Sequence, residues 1–304
     1  METPDRLRRD AARRIRVLVP VAALLCAVFA ATATQGAAAA SSGLTVTNGA
    51  IASGSLRLGA VTTSSNWAGY AVTGLDATTA SSTTFTSVSG RWVQPAVTCT
   101  TAGATYSAFW VGLGGLSDTS QALEQIGTQA TCTAAGKAKY SMWYELVPAA
   151  SVAIKFKVFP GNAIAASVKV NGTRVTLQIR NLSRRTNFTK TLHMAAPDLS
   201  SAEWIAEAPT GCNAAGCRQL PLANFGTVTF TRASATSGGH TGTISDVTWS
   251  SSSIDLVEPP SGPPTAATVA SGALPSALSV DGASFAVTWQ EALATPSPPI
   301  GMPG

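Results

Sequence analysis

The chain has 304 residues, 45% of them apolar and 12% charged, with 27 Gly, 17 Pro, 7 Trp, 2 His and a formal net charge of +5. That much apolar residue with so little charge excludes a disordered chain or a coiled coil, and two histidines argue against a histidine-built metal centre. The positive balance raises an acidic partner such as nucleic acid, a question decided by where the basic residues lie.

The first sixteen residues hold Arg6, Arg8, Arg9, Arg13, Arg14 and Arg16, and an apolar stretch runs from Val17 to Ala31. Small residues follow, including Ala31-Thr32-Ala33 and the run Ala37 to Ala40. This order predicts a secretory signal peptide over residues 1–40. The apolar stretch contains Pro20 and is short for the roughly 20 residues of a membrane span. Residues 41–304 retain 14 Lys and Arg against 12 Asp and Glu, with no basic tract of the kind that tracks a phosphate backbone. The expectation is a nearly neutral, secreted, extracellular monomer with no nucleic-acid partner and no stable membrane association after signal cleavage.

Residues 41–60 are small and polar and read as a linker or short propeptide. From 61 to 292 short strands follow one another, and the pattern predicts one all-β domain, an antiparallel sandwich or barrel. Cys99, Cys132, Cys212 and Cys217 fall within it. An even count in an exported chain favours two disulfides, and of three pairings we favour Cys99 with Cys132 and Cys212 with Cys217. A zinc site is the competing reading, but C-x-x-C knuckles are missing and His193 and His240 lie elsewhere in the sequence. No metal or cofactor is expected.

Ile154, Phe156 and Val158 alternate with Lys155 and Lys157, predicting a strand. Asn171-Gly172, between Val168-Lys169-Val170 and the alternating run Val175 to Arg180, predicts a hairpin. Gly226 to Arg232 and Phe285 to Trp289 alternate as well. Pro259 to Pro264 interrupts the pattern, and residues 293–304 read as a disordered tail.

No G-x-S-x-G elbow, H-E-x-x-H helix or D-T-G pair occurs, so a hydrolase built on this chain would use a carboxylate as its acid-base group. The mid-domain glutamates are Glu124, Glu145, Glu203 and Glu207. In Ala202-Glu203-Trp204-Ile205-Ala206-Glu207, strand alternation puts Glu203, Ile205 and Glu207 on one face and Trp204 on the other. A carboxylate beside apolar and aromatic groups loses hydration, which raises its pKa and suits it to proton transfer. On pattern alone, a solvent-facing strand carboxylate is the plainer reading of each.

Five ordered segments change that weighting. They are Ser65-Asn66-Trp67-Ala68-Gly69, Phe109-Trp110-Val111-Gly112-Leu113-Gly114-Gly115, Leu123-Glu124-Gln125-Ile126-Gly127, Trp143-Tyr144-Glu145 and Ala202 to Glu207. Together they resemble the glutamic peptidases, or eqolisins, of the scytalidoglutamic and aspergilloglutamic type. The resemblance implies a concanavalin A-like antiparallel β-sandwich of two large sheets with a substrate cleft on its concave face. It implies acid endopeptidase activity on protein or peptide substrates, without metal or covalent intermediate. Motif for motif, the catalytic glutamate falls on Glu207 and the catalytic glutamine on Gln125. Trp67, Trp110 and Trp143 match cleft-lining aromatics, and Glu145 an acidic residue bordering the site.

Two positions depart from the family. Gln129 and Ser141 stand where fungal members carry acidic residues, which reduces negative charge around the site and makes Glu207 easier to ionise than in a more acidic cleft. A carbohydrate-binding or glycoside-hydrolysing sandwich is the alternative reading, since the tryptophans could stack on sugar rings.

Overall fold

The computed structural model describes residues 61–75, 83–117, 120–213, 216–257 and 271–291. The expected signal peptide, linker, Pro259 to Pro264 interruption and C-terminal tail lie outside these residues. All regular structure among the described residues is β. The first seven strands are β1 (Val61–Ser64), β2 (Trp67–Thr73), β3 (Phe85–Val93), β4 (Thr105–Gly114), β5 (Leu123–Cys132), β6 (Ala138–Val147) and β7 (Val152–Ile154). Then come β8 (Ala163–Asn171), β9 (Arg174–Asn181), β10 (Thr186–His193), β11 (Ser201–Glu207), β12 (Thr210–Asn213) and β13 (Gly216–Gln219). The last are β14 (Thr227–Ser237), β15 (His240–Gly242), β16 (Ser250–Val257), β17 (Gly272–Pro275) and β18 (Phe285–Gln290).

One hydrogen-bonded path runs β10-β9-β8-β3-β14-β18-β17-β16-β2-β11-β4-β5-β6-β7, antiparallel at every step. The path folds over on itself. β3 packs on β4 and β11, β8 on β4 and β5, and β9 on β5. The expected two sheets are thus the two layers of a sandwich, joined through β14, β18, β17 and β16 into a nearly closed sheet.

The main core lies between the layers, where strand alternation turns Trp92, Phe109, Trp204 and Phe230 inward, all at most 2% exposed. Burying rings of this size is a large apolar gain, but an indole N–H taken from water needs a new acceptor. Trp92 Nε1 donates across the layers to Thr128 Oγ1 at 2.9 Å, and Trp204 Nε1 to the Ser89 carbonyl at 2.8 Å. These two bonds fix how the layers register.

The expected hairpin is present as β8 and β9, with Gly172 at φ 58° in the turn. The turn residues are Gly172 and Thr173, one place later than the dipeptide suggests, because Asn171 already pairs with Arg174. The expected strand over 154–158 is a correction. β7 ends at Ile154, the chain bends at Lys155 and Phe156, and Phe156 is left exposed. Alternation there reflects only Ile154 and Val158 dipping inward. Both favoured disulfides form, Cys99 with Cys132 and Cys212 with Cys217, the latter between paired residues of β12 and β13. Their sulfurs are bonded to each other, which removes the zinc reading.

Candidate active site

Turned away from the main core, five neighbouring strands present a second face whose side chains fall into three cross-strand rows. The first row is Trp67, Glu207, Ala108, Gln129 and Ser141 on β2, β11, β4, β5 and β6. The second is Gly69, Ile205, Trp110, Gly127 and Trp143, and the third Ala71, Glu203, Gly112, Gln125 and Glu145. Successive rows are two residues, or about 7 Å, apart along the strands. Every site residue expected from the sequence lies on this one face. Trp67, Trp110 and Trp143 join a separate apolar cluster there with Ile205, Leu123 and Val147.

Glu207 is fully buried. Trp110 Nε1 donates to its Oε2 at 2.7 Å and Asn66 Nδ2 to its Oε1 at 3.4 Å. The Trp67 indole N–H reaches hydrogen-bond geometry with no acceptor, yet it lies near enough to favour the charged carboxylate. Burial outweighs all three donors and pushes the Glu207 carboxyl up to about 7. Asn66 is itself held in place. The Ser64 hydroxyl donates to Asn66 Oδ1 at 3.1 Å, and the Asn66 carbonyl accepts from the Ala208 N–H at 2.8 Å. With its oxygen engaged, the Asn66 amide can offer only its N–H side to Glu207. Asn66 was visible in the Ser65-Asn66-Trp67 motif but carried no assigned role, because an amide beside an aligned tryptophan does not announce its target.

Gln125, equally buried, donates from Nε2 to Glu145 Oε2 at 2.9 Å, and its Oε1 has no partner. Gln125 and Glu207 are two rows and two strands apart and share no hydrogen bond. Trp110 spans the gap. Its Nε1 rests on Glu207, while its ring edge lies over Gly112, where a Cβ would come within 2.9 Å of Trp110 Cζ3. Gly112 is the direct cross-strand neighbour of both Gln125 and Glu203.

The remaining carboxylates form a second group. Both Glu203 oxygens are buried without a partner in hydrogen-bond geometry. Burial holds the group well above its usual pKa, outweighing the nearby Ser201 hydroxyl, and Asp198 and Glu124 add repulsion. Glu124 points to the opposite side of β5. It accepts the Asp198 N–H at 3.3 Å and is pushed up to about 8, again chiefly by burial. Asp198 differs: donors from Ser120, Ser200 and Gly115 outweigh its burial and lower its pKa. Gln129 and Ser141, the two departures, pair with each other in the row of Glu207. Gln129 turns its amide to Thr131 Oγ1 at 2.6 Å.

The Peptidase A4 family matches residues 65–269. Aspergillopepsin-2 of Aspergillus niger is 30% identical over 211 residues, 61% of this chain and 69% of that protein. Among solved structures, scytalido-glutamic peptidase with a peptide-based transition state analog superposes with a TM-score of 0.58 at 23% identity, covering 74% of this chain and 98% of that one. SCP-B, an eqolisin in complex with the tripeptide Ala-Ile-His, gives 0.55 at 23% identity with the same coverage. The two structures share the sandwich fold, and the family match over most of the domain decides against the carbohydrate alternative. On the match to the family and to its Aspergillus relative, the chain belongs to the Peptidase A4 family and is a glutamic endopeptidase.

Proposed function

We propose that the protein is an exported acid endopeptidase in which Glu207 and Gln125 drive direct attack of water on the peptide carbonyl, without metal or covalent intermediate. The observation that carries the reading is a fully buried carboxylate held by an indole and an amide donor, on the same face as a buried glutamine whose carbonyl oxygen lacks a partner. Burial on this apolar face pushes the Glu207 carboxyl up to about 7. Water and the substrate carbonyl entering beside it restore hydration, and the Trp110 and Asn66 donors then favour the carboxylate.

Ionised Glu207 takes a proton from the water as the water oxygen bonds to the carbonyl carbon. The free Gln125 N–H stabilises the oxyanion, while its carbonyl helps hold the water. Glu207 returns the proton to the leaving nitrogen, and the C–N bond breaks. Two further donors suit a peptide: the buried indole N–H groups of Trp67 and Trp143 are both unpaired. Substrate carbonyls would satisfy them, with Glu145 orienting Gln125 from the far side.

The test is casein digestion from pH 2 to 7 by the wild type and by Glu207→Gln, Gln125→Ala and Glu203→Gln. Loss of activity in Glu207→Gln and a drop of about 10²- to 10³-fold in Gln125→Ala are expected, with Glu203→Gln active. Undiminished cleavage by Glu207→Gln would sink the assignment. Loss in Glu203→Gln alone would move it to the carboxylate that shares the row of Gln125.

A further inference from the structure

The near-neutral total hides a strong segregation of charge. Residues 137 to 190 hold ten lysines and arginines and one acidic residue, Glu145. All ten cations are exposed and Glu145 is buried. Residues 41–136 and 191–304 hold only four cations against eleven acids. Three of the ten, Lys169, Arg174 and Arg180, stand on the outward-facing positions of β8 and β9. Among the described residues the one ion pair joins His240 to Asp246, so none of the ten is neutralised by a carboxylate.

The outer surface of the β3-β8-β9-β10 layer carries these three on its strand grid, together with Arg91 of β3. Arg91 and Arg180 flank Ala165 in one cross-strand row. Ser167, Gln178 and Thr189 form the next, and Lys169 stands in the one beyond. Arg174 closes the far end beside Asn171. Hydroxyls and amides thus separate the cations, and they are already ordered: Gln178 Nε2 donates to Thr189 Oγ1 at 3.1 Å, and the Thr176 and Thr191 hydroxyls bond at 3.0 Å. Among the described residues no acidic side chain projects from this face, and the one ring in its rows is the His193 imidazole, exposed at the far end beside Arg174.

We propose that this face docks an anionic polysaccharide whose charge is carried by phosphodiester groups. Arg91 and Arg180 stand two strand spacings, or about 10 Å, apart in one row, and Lys169 and Arg174 follow two and three rows beyond, so cations recur along about 20 Å of the face. Phosphates carried on a chain match such a line, since arginine binds their oxygens in pairs. The intervening hydroxyls and amides match sugar hydroxyls. A lipid surface would call for apolar side chains to insert, and single-stranded nucleic acid for rings to stack on; the face offers neither ring nor apolar anchor at its centre. The choice of phosphodiester over carboxylate rests on the proposed acidic working range, in which carboxylates lose charge and phosphodiesters keep it. Docking itself does not depend on the catalytic reading and is measured without turnover.

The experiment measures binding of the purified protein to a phosphomannan, to the same mannan stripped of phosphate, to a DNA duplex and to phosphatidylglycerol vesicles, at pH 4 and pH 7 and at low and high salt. Salt-sensitive binding to phosphomannan at both pH values is expected, with at least tenfold weaker binding to the stripped polymer. The triple variant Lys169→Gln, Arg174→Gln, Arg180→Gln should lose at least tenfold. A charge-matched triple, Lys137→Gln, Lys139→Gln, Lys155→Gln, should stay within threefold of wild type. Unchanged melting temperatures show that both variants are folded. Equal binding to stripped mannan, tighter binding to DNA or vesicles, equal loss in both triples, or binding within twofold of wild type in the first would each overturn the proposal. Binding at pH 7 that vanishes at pH 4 would overturn the phosphodiester assignment.

Discussion

Trp110 and Glu207 stand on adjacent strands one row apart, and a 2.7 Å hydrogen bond from the indole to the carboxylate joins them. It is the shortest contact Glu207 makes, and it opposes the burial that raises the carboxyl to about 7. Trp110→Phe keeps most of the ring and removes the donor. A hydrogen bond to a charged group contributes about 1.5–3 kcal/mol, so the Glu207 pKa should rise further. The activity limb that follows its ionisation should move up by about one pH unit or more, costing roughly tenfold or more in kcat/KM on the acid side. An unmoved limb in the pH–rate profile would separate the indole from the chemistry.

Gly112→Ala tests the other end of the same ring. Its Cβ would meet Trp110 Cζ3 at 2.9 Å, a side chain that can shift at a cost of about 1–3 kcal/mol. The expected result is a folded protein with a lower melting temperature and reduced kcat. Gly69 is the contrast. It sits at φ 148°, and a Cβ there would press within 2.1 Å of the Trp204 carbonyl, which is backbone and cannot yield. Gly69→Ala should therefore fail to accumulate as folded protein, whereas Gly112→Ala should accumulate and work poorly.

Gln129 shares a row with Glu207 across Ala108, and Ser141 lies one strand beyond. A carboxylate placed at either position repels the charged form of Glu207. Gln129→Asp should shift the ionisation limb upward by several tenths of a pH unit to one unit, and Ser141→Asp by less, because it is one strand farther away. Equal shifts, or a downward shift, in the pH–rate profiles would contradict the row geometry.

Three buried glutamates set how stability responds to pH. The folded pKa of Glu207 is raised to about 7, that of Glu124 to about 8, and that of Glu203 well above its usual value. In each case the folded state holds its proton more tightly than the unfolded chain, so the contribution is complete below about pH 4.5 and is lost as pH rises through the folded values. Asp198, with its lowered pKa, acts oppositely and only at the acid end. Melting temperature should therefore fall between about pH 4.5 and 8. Glu203→Gln should flatten that fall and melt higher than wild type at pH 7. A wild-type melting temperature that climbs over this range would refute the account.

The sequence carried the layer interface well. Alternation put Trp204 on one side of β11 and Glu203, Ile205 and Glu207 on the other, and the structure does the same, since a strand turns its side chains by a fixed period. Five motifs located the site face for a related reason: each marks a strand that contributes to one of its rows. Register was not legible. Nothing local says that Glu207 lies beside Ala108, or that Gln125 and Glu203 flank Gly112, because such pairings are set by contacts distant in sequence. The run from Ile154 to Val158 misled because period two records which residues dip inward, and a bent segment can do that without pairing. Asn66 and Asp198 escaped notice because a hydrogen-bonding role depends on a partner more than seventy residues away.

The continuous path of strands leaves few open ends. One terminus is β7, only three residues long, and the other is β10, where Lys190 is exposed among threonines. Near these ends the Tyr144 and Phe188 rings stack at 5.6 Å, tying β6 to β10. A short edge and a charged edge offer poor templates for pairing with another chain. A protein this rich in strand, with so little charge to keep molecules apart, is thereby protected against edge-to-edge aggregation when it accumulates at high concentration.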